Sequence, residues 1–312
     1  MRLGLTQSTY QYLFSPPQGL FADRSHGYFD AKGFPYPYFL STPITIPGDL
    51  VLEWLINRTA DLGLQVCHAN LMSQEPAYVA RMKALLQKRG IELMPALAID
   101  PIAGGETTRQ AIDFAISQLE FYKNFGDVKV AKFCTYPMIH NRFRNDPPLR
   151  EQLDLIIKNT KPIAKAAEAA GIVLAMENHL DYRASEVVEV IDAINSPNFQ
   201  FLFDMGNTTV VIEDPVEAAK VAAPYTVLCH LKDVRILPWT PAALYVAAIF
   251  AAPLGRGNVD IVKICEILQE KAPNPQNLTL SLENMPIPPN EDEDLWTVES
   301  IKWAKENLAK FL

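Results

Sequence analysis

Short runs rich in Val, Ile, Leu and Phe alternate along the chain with longer segments whose apolar residues recur at three- and four-residue intervals. The first kind reads as strands buried on both faces, the second as amphipathic helices that cover them. Strands are predicted at 2–7 (RLGLTQ), 64–69 (LQVCHA), 92–99 (ELMPALAI), 128–135 (VKVAKFCT), 172–178 (IVLAMEN), 199–205 (FQFLFDM), 226–232 (TVLCHLK) and 278–284 (LTLSLEN). Helices are predicted at about 48–62, 75–89, 106–124, 147–170, 184–195, 214–223, 260–272 and 293–311. Eight successive βα units imply a parallel sheet, and as one α/β domain over 1–312 they predict a (β/α)8 TIM barrel.

Helix ends carry matching local signals. Gly63, Gly90 and Gly171 follow amphipathic runs, where a left-handed terminating residue is favoured. Asp214-Pro215 and Asp146-Pro147 suit the opposite end, an Asp cap followed by Pro in the first turn. Two stretches break the alternation: 8–48, with 41 residues, and 235–258, with 24. Without them the chain is close to the roughly 250 residues of a plain eightfold barrel. Both follow strands, so both are expected as insertions on the C-terminal rim, where barrel enzymes hold their active sites.

Composition narrows the function classes. Hydrophobic residues make up 49% and charged residues 21%, which suits an ordered globular chain. A net charge of -8 and a pI near 5.2 argue against nucleic acid as a partner, because that affinity comes from Lys and Arg on phosphates. The N-terminal MRLGLTQSTYQYLF carries neither a signal peptide nor a membrane span, so a cytoplasmic protein without a membrane partner is expected. Cys67, Cys134, Cys229 and Cys265 lie far apart in apolar surroundings and read as reduced core residues.

Acidic residues inside apolar strands are costly unless paired or bound to a cation. Here they recur at successive strand ends: Glu177 in LAMENH, Asp204 in FLFDMGN, His230 in LCHLKDV and Glu283 in LSLENM. The spacings are 27, 26 and 53 residues, and the 24-residue insertion reduces the last to one βα unit. A single strand-end carboxylate is most simply satisfied by a neighbouring backbone group or Arg. Four at one height on adjacent strands instead predict a mononuclear site for one divalent metal ion, Mn2+, Mg2+, Co2+ or Zn2+, because three carboxylates and an imidazole are hard-to-borderline ligands.

MENH, FDMGN, CHLKDV, the G-x-G-N-V-D stretch from Gly255 to Asp260, and LENM resemble the strand-end motifs of the xylose isomerase-like TIM barrels. That superfamily includes sugar-phosphate isomerases and epimerases, ketose 3-epimerases, inosose dehydratases and endonuclease IV. The likeness is strongest over 172–285. It implies that Glu177 and Glu283 both bind the metal and move protons on opposite faces of the substrate, with Asp204 and His230 as ligands only. A metal chelating a carbonyl and its neighbouring hydroxyl stabilises an enediolate, which makes the adjacent carbon acidic enough for carboxylate bases. The expected activity is thus isomerisation or epimerisation of a small sugar-like hydroxy-ketone.

Departures from the family pattern bear on the substrate contacts. Asn207 stands where the epimerases place His, Arg183 where they place a substrate-binding Glu, and Arg256 where Glu is frequent. Arg183 could pair with an anionic substrate group or bond a loop carbonyl, and Arg256 offers a second anion contact. His68 at the second strand end and Lys232 after His230 complete the candidate substrate-binding set; the alternatives are a further ligand or a rim hydrogen bond for His68, and a Lys232–Asp233 pair that fixes the loop for Lys232. Ten aromatic residues from Tyr10 to Phe39 suit a lid, a pocket wall or a contact in a homo-oligomer. The run PAALYVAAIFAAPL at 241–254 is too short to span a bilayer and reads as a short helix over the site or an interface element. Three other activities compete: a metal-dependent dehydratase or lyase, a non-catalytic metabolite-binding barrel, and a multi-zinc phosphodiesterase, which Asn207 and the acidic charge disfavour.

Overall fold

The computed structural model describes residues 1–10, 50–135, 140–238, 247–287 and 291–312. Its strands are β1 (Arg2–Thr6), β2 (Val66–His68), β3 (Glu92–Met94), β4 (Ala96–Ile99), β5 (Val130–Thr135), β6 (Val173–Glu177), β7 (Phe199–Asp204), β8 (Thr226–Leu231), β9 (Asp233–Pro238), β10 (Ala247–Ala252) and β11 (Thr279–Leu282). The helices are α1 (Val51–Asp61), α2 (Pro76–Arg89), α3 (Gly105–Phe125), α4 (Leu149–Ala170), α5 (Ala184–Ile194), α6 (Pro215–Ala222), α7 (Ile261–Lys271) and α8 (Glu293–Asn307).

Nine strands form one parallel sheet in the order β3-β2-β1-β11-β8-β7-β6-β5-β4. Its two ends are halves of the single strand predicted at 92–99, interrupted by Pro95, which has no N–H to give to a ladder. β3 pairs with β2 and β4 with β5, so the chain through Pro95 carries the sheet around to a nearly closed barrel. Around the break Lys132 N donates to Pro95 O (2.8 Å), Ala69 N to Met94 O (3.0 Å), and Ala96 N to the Asn70 side chain (2.7 Å).

The core divides by strand phase. A large cluster between sheet and helices takes Phe201 and Phe203 of β7, Leu174 and Met176 of β6, Cys229 and Leu231 of β8, and Leu280 and Leu282 of β11. A small cluster holds Val66, Met94, Ala175, Leu202 and Leu228, with Val130 packed against it. Because successive strand residues point to opposite faces, the small cluster fills the barrel interior. Gly4 completes this layer: a Cβ there would come within 3.1 Å of both the Val66 side chain and its backbone oxygen.

Several helix ends follow the sequence reading. The Asp214 side chain accepts hydrogen bonds from Val216 N and Glu217 N at 2.9 Å, with Pro215 opening α6. Gly90 and Gly171 close α2 and α4 in the left-handed region, at φ 65° and 69°. Asp146-Pro147 does not open α4, which begins at Leu149 after an extended Pro148. The residue before a proline is driven out of the helical region, so of two adjacent prolines only the second can border the helix.

The short helix expected within 241–254 is also corrected. Ala247–Ala252 is a strand, β10, antiparallel to β9 in a separate two-stranded sheet. Pairing with β9 and the bond from Ala251 N to Pro286 O (2.9 Å) override the helical preference of an Ala-rich run. Residues 239–246 lie outside the described residues, as do 11–49 with the aromatic lid reading. No helix among the described residues is long and apolar enough to cross a membrane.

Replacing Asp214 by Ala should cost about 1 kcal/mol through loss of the α6 cap. Urea unfolding should show a lower midpoint at constant slope, and an unchanged midpoint would rule the cap out as a stabilising element.

Candidate metal centre

The phase that fills the barrel interior also aims the strand-end polar residues. Glu177 lies two residues beyond Ala175, Asp204 two beyond Leu202, His230 two beyond Leu228, and His68 two beyond Val66, all from the inner layer. Glu283 keeps the inward alternation of Thr279 and Ser281 on β11. Four side chains from β6, β7, β8 and the end of β11 therefore converge above an apolar floor at the C-terminal rim.

His230 Nδ1 is 3.0 Å from Glu177 Oε1, 3.3 Å from Glu283 Oε2 and 3.4 Å from Asp204 Oδ2. One ligand atom from each of the four lies within 4.8 Å of the others, and all four residues are buried. On the far side of the ring, His230 Nε2 is 3.4 Å from His68 Nδ1. Asp204 is oriented by Gly206 N and Asn207 N, each donating to Oδ1 at 2.9 Å. The Asn178 side chain clasps the Asp204 backbone, accepting from its N at 2.7 Å and donating to its O at 3.0 Å.

Two ammonium groups border the cluster, Lys232 buried and Lys132 half-buried. Lys232 Nζ reaches Asn207 Oδ1 and Glu283 Oε2, both at 3.0 Å, and Asp204 Oδ2 at 3.4 Å. Lys132 Nζ, from β5, is 2.6 Å from Glu177 Oε2. Ser8 donates to Glu283 Oε1 at 2.6 Å. Burial works to raise the Glu177 carboxyl, yet Lys132, His179 and His230 hold it well below the usual carboxylate range. Glu283 is likewise pulled well down against burial by His230 and Lys232. Burial pulls His230 down, but Glu283 and Glu177 drive it well above the ordinary imidazole range.

That last shift tests the fit of a cation. Three carboxylates around one imidazole nitrogen call for positive charge at that point, which either a proton or a metal ion supplies. With a neutral imidazole, Lys132 and Lys232 leave one negative charge uncompensated in a buried space. Both Glu177 oxygens are buried and accept no well-directed hydrogen bond. The donor set and its spacing thus fit one divalent ion, ligated by His230 through Nδ1, Glu177, Asp204 and Glu283.

Of the residues proposed for substrate contact, His68, Asn207 and Lys232 border the cluster. Arg183 does not: its guanidinium donates to the backbone oxygens of Val211 (3.3 Å) and Ile212 (3.2 Å) at the start of α5. Arg256 is turned to solvent and pairs with Glu299 of α8 at 3.2 Å. Asp233 fixes the Gly255–Val259 loop by accepting from the N–H groups of Val234, Gly255, Gly257 and Val259 at 2.8–3.1 Å. A Cβ at Gly257 would sit 2.0 Å from Asp233 Oδ1.

Lys132 and Ser8 escaped the sequence reading. Lys132 carried a usable signal, because in VKVAKFCT it lies two residues beyond the inward Val130, and an ammonium in a buried strand demands a partner as a carboxylate does. Ser8 follows β1 in a short 3-10 turn and carried none. Next to the centre is a cavity of about 440 Å³, lined by Ser8, Tyr10, His68, Asn70 and Lys132 among others.

A nearly closed parallel barrel with a buried carboxylate–imidazole cluster at its C-terminal rim defines the class of structure. The xylose isomerase-like TIM barrel model matches residues 56–307, and the chain belongs to that family. It is 24% identical over 284 residues to the 3-oxo-isoapionate decarboxylase of Pectobacterium atrosepticum, an alignment covering 86% of this chain and 92% of the decarboxylase. Among solved structures, the IolI protein with a bound zinc atom matches with TM-score 0.67 and 15% identity, over 100% of this chain and 98% of that one. D-psicose 3-epimerase with D-tagatose, from Clostridium cellulolyticum H10, matches with TM-score 0.64 and 14% identity, over 100% and 99%. At these identities the structural likenesses establish the fold.

Metal analysis of protein purified without chelator should find about one divalent ion per chain; about three would contradict a mononuclear site. His230→Ala should lower metal affinity at least tenfold while the circular dichroism spectrum stays that of the wild type.

Proposed function

We propose that the protein is a divalent-metal-dependent enzyme that isomerises or epimerises a sugar-like hydroxy-ketone by proton transfer through an enediolate. The observation that carries this reading is the placement of Glu177 and Glu283. They approach the same His230 nitrogen from β6 and β11, the outer members of the four-strand set, with Asp204 and His230 between them. A bound divalent ion supplies Lewis-acid stabilisation of the oxyanion. Glu177 and Glu283 are then the two groups able to take a proton from the carbon beside the carbonyl and return one from the other side. Asp204 and His230, immobilised by Asn178, Gly206, Asn207 and His68, hold position and take no part in the proton transfer.

A second reading is decarboxylation of a 3-oxo sugar acid, favoured by the near full-length similarity to a 3-oxo-isoapionate decarboxylase. In that reaction the bond between the carboxylate carbon and its neighbour breaks, CO2 leaves, and the electron pair passes onto the ketone as an enolate. One protonation at the former carboxyl-bearing carbon completes it. The stabilised charge is the same, but one proton donor suffices where epimerisation needs two.

Metal-loaded enzyme incubated with a panel of ketoses and cyclitols in deuterated water should exchange the proton on carbon beside the carbonyl. Glu177→Gln and Glu283→Gln should each lower that exchange by about 10²-fold or more, with metal content measured alongside. CO2 release from 3-oxo acids without exchange into the ketoses would select the second reading. Absence of both reactions in metal-loaded protein would leave a metabolite-binding barrel.

A further inference from the structure

We propose that Lys132 forms a carboxylate-binding subsite, so that the substrate is a sugar-derived acid whose carboxylate points from the metal centre toward β5. The inference rests on the metal-dependent reading above and adds the chemical class of the substrate.

The two lysines at the centre carry the same charge in different circumstances. An ammonium has three N–H donors. Lys232 has an acceptor for each: Asn207 Oδ1, Glu283 Oε2 and Asp204 Oδ2. Lys132 has one among the described residues, Glu177 Oε2 at 2.6 Å. Its side chain is 14% exposed, against 7% or less for Lys232 and the four residues of the cluster, and it lines the 440 Å³ cavity. A partly exposed ammonium on a cavity wall, with donors that the described residues leave unused, is a recognition group for an anion.

Charge points the same way. The described lining of this cavity contains no carboxylate, and Lys132 is its one charged residue. Three carboxylates, two ammonium groups and a divalent ion leave one positive charge, which a monoanion neutralises. A carboxylate fits that single charge and the single ammonium; a phosphate dianion would exceed both. His68, Ser8 and Asn70 line the same cavity and offer neutral polar groups suited to hydroxyls.

The test is equilibrium binding by calorimetry to metal-loaded protein, with aldonates, the matching neutral alditols and alditol phosphates of four to six carbons as non-reacting probes. Wild type should bind aldonates about ten- to a hundredfold more tightly than alditols, the range of one charge-assisted contact. Lys132→Met should erase that preference while alditol affinity and metal uptake persist, and Lys132→Arg should restore at least part of it. Equal affinity for aldonate and alditol in the wild type overturns the proposal alone. So does a preference that survives in Lys132→Met, since the carboxylate is then held elsewhere, or tighter binding of the phosphates. If Lys132→Met fails to fold, the wild-type comparison and Lys132→Arg still decide. Failure of the wild type to take up metal overturns this proposal together with the function it rests on.

Discussion

Three carboxylates meeting one imidazole nitrogen inside a protein is the constraint on which the rim of this barrel depends. Two unit charges 4 Å apart repel by roughly 4 kcal/mol at an effective dielectric of about 20. Here three such groups lie within 3.4 Å of His230 Nδ1. The surroundings answer that repulsion at every side: ammonium groups from β5 and from just beyond β8, the Ser8 hydroxyl, and the backbone N–H groups of Gly206 and Asn207. What these cannot supply is positive charge at the centre itself, the point that all four ligand atoms share.

That arrangement was legible because the barrel turns a period of two into a direction. Once Leu202, Ala175 and Leu228 fill the interior, the residues two positions further on must point inward at the rim, and Asp204, Glu177 and His230 are those residues. The same rule covers Lys132 after Val130, whose ammonium faces inward on β5. The arginines were harder. Arg183 and Arg256 occupy loops whose backbone course sets where a long side chain ends, and no periodicity reports it. Strand β10 was obscured for a related reason: its sequence is rich in Ala, and only the partner strand β9 decides its conformation.

The loop that follows the hairpin shows how the insertion is anchored without disturbing the centre. Asp233, next to Lys232, turns away from the cluster and gathers four backbone N–H groups, those of Val234, Gly255, Gly257 and Val259. The HLKD segment thus divides its work. His230 points at the centre, Lys232 ties β7 to β11 across it, and Asp233 fixes the returning chain, with Gly257 bare because any side chain would strike that carboxylate. The G-x-G spacing from Gly255 to Gly257 is here the footprint of one buried aspartate.

The enzymes that this chain resembles are named for different reactions, an epimerase and a decarboxylase among them. Proton abstraction beside a carbonyl and loss of CO2 beside a carbonyl place negative charge on the same oxygen, so a cation held by four strand-end residues would serve either. The choice between them belongs to the groups outside that set. Lys232 has acceptors for its donors on Asp204, Asn207 and Glu283 and links those strand ends. Lys132 has one such acceptor among the described residues and faces the cavity, which is the basis of the proposal that it selects the substrate. On the proposed function, the charge common to both reactions would be met at the ends of β6, β7, β8 and β11, and selection would fall to β5 and the turn after β1.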